Sequence, residues 1–141
     1  MNSIPRIYAD FNGLQNSVKS NGYLSLYLHY WGSLKDLSRK KLTLQESMKI
    51  RVYSDSDESS DLEATGVVYF DRKCKKWFAE FSEEEIIEVP TVQEDSSMNF
   101  PCWNCEIELS NHFKQNGLQL GDECPACNVK IHKPLNPPEE N

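Results

Sequence analysis

Residues 23–31, Tyr-Leu-Ser-Leu-Tyr-Leu-His-Tyr-Trp, alternate without a break. A repeat of two is the side-chain period of a strand. It puts Leu24, Leu26, Leu28 and Tyr30 on a core face, and Tyr23, Ser25, Tyr27, His29 and Trp31 on a face that is aromatic but half-polar. Ile4 to Phe11 reads as an earlier strand, closed by the turn dipeptide Asn12-Gly13. Met48 to Tyr53, Gly66 to Phe70 and Trp77 to Phe81 read as three more strands, with Ile86 to Val89 a further candidate. One short helix interrupts them. Ser33 is placed to be its N-cap with Asp36 three residues on, Leu34 and Leu37 supply its buried side, and Lys40 and Lys41 lie at its C-terminal end, where the helix dipole favours cations. Short strands with a single helical turn predict a mainly β fold: a small SH3-like or Tudor-like barrel, or a strongly bent antiparallel sheet.

Two connections between these strands are charged. Residues 54–63 are acidic and serine-rich. They lack the central glycine and the closing glutamate of a calcium loop, so a solvated connection is expected. Asp71-Arg72-Lys73-Cys74-Lys75-Lys76 reads as a hairpin tip rich in lysine, with Cys74 an incidental surface thiol. Residues 90–101 have linker composition. The expected organisation is a β domain over 1–90, a linker over 91–101, a metal module over 102–133 and a loose Pro- and Glu-rich tail over 134–141. Ile7-Tyr8-Ala9-Asp10-Phe11-Asn12-Gly13 is similar to the opening of a family of small, uncharacterised bacterial proteins, which implies a bacterial source and no particular function.

The C-terminal third carries the clearest chemistry. Cys102-Trp103-Asn104-Cys105 and Cys124-Pro125-Ala126-Cys127 are separated by eighteen residues. Two Cys-x-x-Cys turns at that separation fit one tetrahedral metal site, each turn supplying two thiolates. Pro125 stiffens the second turn, and Asn128 suits a left-handed turn end. Cys102, Cys105, Cys124, Pro125 and Cys127, with Gly121-Asp122 before the second turn, resemble the zinc-ribbon family and more distantly the rubredoxins. The resemblance covers residues 98 to 135 or so. It implies one structural Zn²⁺ held by the four cysteines. It departs from rubredoxin at Glu106 and Asn128, where that family has glycine, which favours zinc over iron. His112 and His132 lie near the ligands and are expected to be surface or second-sphere groups. Trp103 is expected to cover the metal or to meet a partner.

Net charge is −7 over 141 residues. Residues 1–95 carry 12 basic and 16 acidic side chains and residues 96–141 carry 3 and 6, so the two parts contribute −4 and −3. The metal module therefore lacks the clustered Lys and Arg that duplex binding needs. No run of apolar residues is long enough for a membrane span, and unpaired cysteines with no signal segment point to the cytoplasm. No nucleophile, phosphate-loop or metalloprotease motif is present, so the expectation is a non-enzyme. The leading expectation is an adaptor or regulatory protein that binds a protein partner through Trp31, Tyr27, Trp77, Trp103 and the basic tip Arg72, Lys73, Lys75 and Lys76. The alternatives are RNA or single-stranded nucleic-acid binding by the Tyr23/Tyr27/Trp31 face with that tip, and thiol redox or rubredoxin-like electron transfer by the cysteines.

Overall fold

The computed structural model of the protein describes residues 4–55, 60–90 and 100–136. Seven strands form one mixed sheet: β1 (Arg6–Tyr8), β2 (Gln15–Asn16), β3 (Leu24–Tyr27), β4 (Lys49–Asp55), β5 (Ser60–Asp71), β6 (Lys76–Phe81) and β7 (Ile87–Pro90). The order across the sheet is β1-β4-β5-β6-β3-β2, and β7 continues the β6 side along the first residues of β5. All pairings are antiparallel except β1 with β4. Two α-helices, α1 (Trp31–Arg39) and α2 (Ser110–Gln115), and two single 3-10 turns, Phe11–Gly13 and Glu83–Glu85, complete the described elements.

The barrel expectation is not met: the sheet is open, and β1 and β2 end it on opposite sides without pairing. The reason is at β1. Its free edge is occupied by α1 instead of another strand. The Tyr8 amide donates to Asp36 Oδ2 at 2.9 Å, and the Tyr8 carbonyl accepts from Ser33 Oγ. Two side chains one helical turn apart thus supply the acceptor and donor that a neighbouring strand would have offered. The close approach needs Gly32, because a Cβ there would lie 2.6 Å from the Tyr8 ring. Ser33 is consequently inside the helix. The N-cap is Tyr30, which makes no side-chain capping bond.

The expected alternation over 23–31 holds only as far as Tyr27, where the chain leaves the sheet and turns into α1 at Trp31. Leu26 and Leu28 are buried together with Ile7, Ile50, Val52, Val68, Trp77, Ala79 and Phe81 in the main core. The acidic stretch 54–63 differs more. Residues 56–59 lie outside the described residues, but Ser60 to Glu63 are strand, paired with both β4 and β7. Asp61 is only 1% exposed. Arg6 bonds Asp61 and Glu63, each at 2.9 Å, and lies 3.9 Å over the Tyr53 ring, while Arg51 meets Glu63 at 3.3 Å. Leu62 and Ala64 alternate with these acids, so a strand was concealed by acidic composition. Next to this network Tyr53 donates to Asp36 Oδ2 at 2.8 Å, and Lys35 Nζ is 3.0 Å from Asp36 Oδ1, both charges buried. Buried charges are tolerated because each has a counter-charge or hydrogen bond in reach.

Helix α1 has three working sides. Leu37 enters the main core, Ser33 and Asp36 hold β1, and Trp31 and Leu34 pack into a second core around Phe100, Cys102, Leu109, Cys124 and Ile131. Trp31 lies 5.0 Å from Phe100 and 5.8 Å from Phe113, ring centroid to centroid. From the far end of the cysteine module the chain returns over the sheet. Leu44 donates to the Pro134 carbonyl at 3.3 Å, Leu135 packs against the main core, and the Trp77 indole donates to the Asn136 carbonyl at 3.1 Å. Residues 134–136 are therefore held rather than loose. Residues 91–99 of the expected linker and 137–141 of the expected tail lie outside the described residues, while Phe100 is buried. Among the described residues no helix is long and apolar enough to cross a membrane.

Candidate metal centre

The two Cys-x-x-Cys segments fold into the same knuckle twice. Cys102 N–H donates to the Ile107 carbonyl and Cys124 N–H to the Val129 carbonyl, at 2.9 and 2.7 Å. Glu106 N–H returns to the Cys102 carbonyl and Asn128 N–H to the Cys124 carbonyl, at 3.0 and 2.9 Å. Amides of Asn104 and Ala126 point at the sulfurs of Cys102 and Cys124, at 3.4 and 3.5 Å. Single bridges Pro101–Glu108 and Glu123–Lys130 close the two hairpins. The sequence carries this repeat as Cys-x-x-Cys followed by Glu-Ile-Glu-Leu and by Asn-Val-Lys-Ile, in which Leu109 and Ile131 occupy matching buried places. Glu106 and Asn128 both take positive φ, 65° and 66°. The backbone thus makes the left-handed turn that glycine would make, and the departure from glycine does not distinguish zinc from iron.

The four sulfurs lie within 4.8 Å of one another. The contacts Cys102–Cys127 and Cys105–Cys124 measure 3.8 and 3.7 Å. A regular tetrahedron with metal–sulfur bonds of about 2.3 Å has edges of about 3.8 Å, while a disulfide needs about 2.05 Å. The spacing therefore fits one four-coordinate ion shared by both knuckles. Both of these contacts run between the knuckles, as one ion shared by the two turns would require.

Electrostatics agree. The Ile107 amide pulls the Cys105 thiol down, but desolvation and the three neighbouring cysteines outweigh it and push Cys105 up to about 12. The Asn104 side chain and the Val129 amide hold Cys127 down at about 6. Four sulfurs so close do not all ionise without a cation among them, so proton loss and metal capture are coupled. With all four positions taken by cysteine, such an ion is closed to water and substrate.

The other expected site residues are scattered. Trp77 is 1% exposed and sits in the main core. Trp31 is spent on Phe100 and Phe113. Tyr27 stacks on His29 and meets Tyr30 and Phe78 edge-on or tilted. Across the sheet, Tyr27, Phe78 and Tyr69 are register partners, but Phe78 and Tyr69 stack on each other and are buried, so this row is not an open platform. Arg72, Lys73 and Lys75 are exposed at the β5–β6 hairpin with Cys74, and Lys76 is half-buried beside His29. The hairpin turns through Lys73 N–H donating to Asp71 Oδ1 and a positive φ at Lys75. Asn116, the C-cap of α2, donates its side-chain amide to His112 Nδ1, while His132 joins the module to the sheet: its Nε2 donates to the Leu42 carbonyl at 2.7 Å with Thr43 Oγ1 3.1 Å away.

Trp103, half-buried like Trp31, lies between the two parts. Its indole donates to the Lys130 carbonyl at 2.8 Å, and Lys41 Nζ lies 4.2 Å above its ring. Lys41 was read from sequence only as a helix-end charge. In the structure it closes α1: Leu42 N–H reaches the Leu37 carbonyl, Lys41 N–H reaches the Ser38 carbonyl, and Lys41 has φ 54°. This cap ordinarily uses glycine, and a lysine there costs about 1 kcal/mol. No pattern in the sequence announces the meeting of Lys41 with Trp103, because sixty-two positions separate them. Comparison with family models, with curated proteins and with solved structures finds no match to this chain.

Proposed function

We propose that this protein is a cytoplasmic, non-enzymatic adaptor or regulator whose zinc ribbon, fixed by one structural Zn²⁺, is presented to a protein partner at the seam between α1 and the ribbon. The observation that carries the reading is the closed set of four cysteines, whose 3.7 and 3.8 Å sulfur contacts suit a tetrahedral ion. A closed all-thiolate tetrahedron suits structural zinc, and it suits iron as well, so the choice between them rests on the metal analysis below. The seam is favoured because Trp103 is partly exposed there with no aromatic ring packed on it, whereas Trp77 is buried and Trp31, also partly exposed, packs on Phe100 and Phe113. An indole at a surface of this kind is a frequent energetic centre of protein interfaces.

Metal analysis of the purified protein is expected to give one zinc per chain and no colour; a red, iron-containing protein would return the reading to electron transfer. For the partner, the test is capture by the wild-type protein compared with Trp103→Ala. A protein held by the first and released by the second, with zinc content unchanged, supports the adaptor reading; equal capture by both removes the seam from it. Single-stranded nucleic-acid binding has less support, because Phe78 and Tyr69 stack on each other in place of bases.

A further inference from the structure

Beside Trp103 lies a cavity of about 320 Å³ whose wall includes Lys41, Lys130, His132 and Lys133 and, among the described residues, no acidic side chain. In a chain of net charge −7 this is a local reversal of sign. The lysines come from two places: Lys41 from the cap of α1, and Lys130 and Lys133 from the segment that leaves the second knuckle for the sheet. Their stems are laid on apolar or backbone supports. Lys41 crosses the indole, and Lys133 passes over Gly121, where an added Cβ would be 4.0 Å from its Cδ. The floor is fixed by backbone carbonyls. Trp103 is pinned by the Lys130 carbonyl and His132 by the Leu42 carbonyl. No ion pair joins Lys41, Lys130 or Lys133 to a carboxylate among the described residues.

We propose that this cavity binds a phosphate monoester group. Three lysines with no ion pair to a carboxylate among the described residues suit a dianion better than a single carboxylate, since a phosphate monoester carries about −2 at neutral pH. Lysines act here as point charges around a rounded anion, not as the paired forks that arginine offers to a planar carboxylate. The size is at the lower end for small-molecule sites, about 300 Å³. Beyond the cavity the module exposes Glu106, Glu108, Asp122 and Glu123, which repel an extended polyanion. The ligand is therefore an isolated phosphate group, free or on a nucleotide, and not a nucleic-acid track. The inference rests on the seam being the functional surface, but not on the partner being a protein.

The test is a titration of the zinc-loaded full chain at low salt with inorganic phosphate and with adenosine monophosphate, following the Trp103 indole N–H by NMR. The expected result is a saturable shift, weakened about tenfold by Lys41→Ala or Lys133→Ala and unchanged by Lys114→Ala, whose exposed side chain on α2 lies outside the cavity. Tighter binding of the nucleotide assigns it as the source, through contact with the indole; equal binding assigns free phosphate. The proposal is overturned by no shift, by the same shift with chloride at equal ionic strength, by equal weakening in Lys114→Ala, or by an acidic peptide that binds more tightly than phosphate. Anion binding lost while Trp103-dependent protein capture persists removes this site alone. The opposite result removes the adaptor reading and leaves the site standing.

Discussion

Fourteen buried side chains make the core under the sheet, whereas five are buried in the cysteine module, and two of those five are Cys102 and Cys124. The sheet has enough apolar surface to hold itself together. The module has Phe100, Leu109 and Ile131, too little to offset the ordering of its backbone at about 1–2 kcal/mol per residue. The rest of its cohesion falls to the neighbours Trp31 and Leu34 and to any ion that its four cysteines hold. One chain thus combines a region rich in buried apolar side chains with one whose cysteines are placed to share a metal ion, and α1 packs against both.

The sharpest way to break this comparison is Cys124→Ser. It removes a buried ligand and with it a contribution of order 10 kcal/mol, so metal binding is lost. Amide resonances from 100–133 are expected to collapse while those of β4, β5 and β6, and of residues 134–136 held on the sheet, persist. Collapse of both sets would mean that the sheet cannot stand without the module. Trp77→Ala attacks the other side, removing a core indole and its bond to Asn136. A loss of about 3–5 kcal/mol is expected in denaturant unfolding, with zinc retained by the folded fraction. Trp31→Ala acts on the join. Because Trp31 is only partly buried, about 2 kcal/mol is expected, read as a lower melting temperature of the module together with faster zinc transfer to a chelator.

A smaller effect separates the regions by pH. Burial and the nearby Lys76 lower His29 from 6.5 to about 4. The neutral ring accepts the Trp77 amide through Nε2 at 3.0 Å, so the folded sheet favours the uncharged form. A depressed pKa contributes stability that is complete above pH 6.5 and is lost as pH falls through about 4. In His29→Phe the unfolding midpoint of the sheet is expected to vary less over that window. An unchanged slope would show that other groups set it. The smallest effect is at the knuckles. Glu106→Gly relieves a positive φ in a side chain that tolerates it poorly, with a gain of about 1 kcal/mol, while Asn128→Gly is expected to gain less because asparagine accepts that conformation. Equal gains would deny that the two knuckles differ in strain.

The two regions also differed in how far their residues announced them. The metal centre was legible because ligation is local: four cysteines in two short turns set nearly all its geometry, and only the left-handed Glu106 went unnoticed. The strands were legible where one face is apolar, as in Leu24-Leu26 and in Trp77 to Phe81. They were missed where both faces carry polar groups, as at Asp61 and Glu63, whose burial depends on Arg6 more than fifty residues away. Ser33 and Asp36 had the spacing of a capping pair, but the edge of β1 competed for the same side chains and won. Trp31 and Trp77 were expected to be exposed because aromatic residues at a strand end resemble a binding surface until the element that covers them is known. Lys41 and Trp103 share no periodicity at all, so only the packed chain brings them together.

The bond from Trp77 to Asn136 has a practical consequence for dissecting the molecule. A cut after Lys133 would preserve every cysteine and both knuckles, and by composition would remove only a proline-rich remnant. Yet it would take away the carbonyls that receive the Leu44 amide and the Trp77 indole, together with Leu135. The injury would appear in the distant sheet and not beside the cut. Borders drawn by motif and borders drawn by cohesion thus fall at different places in this chain, and fragments intended to isolate either half should retain residues 134–136.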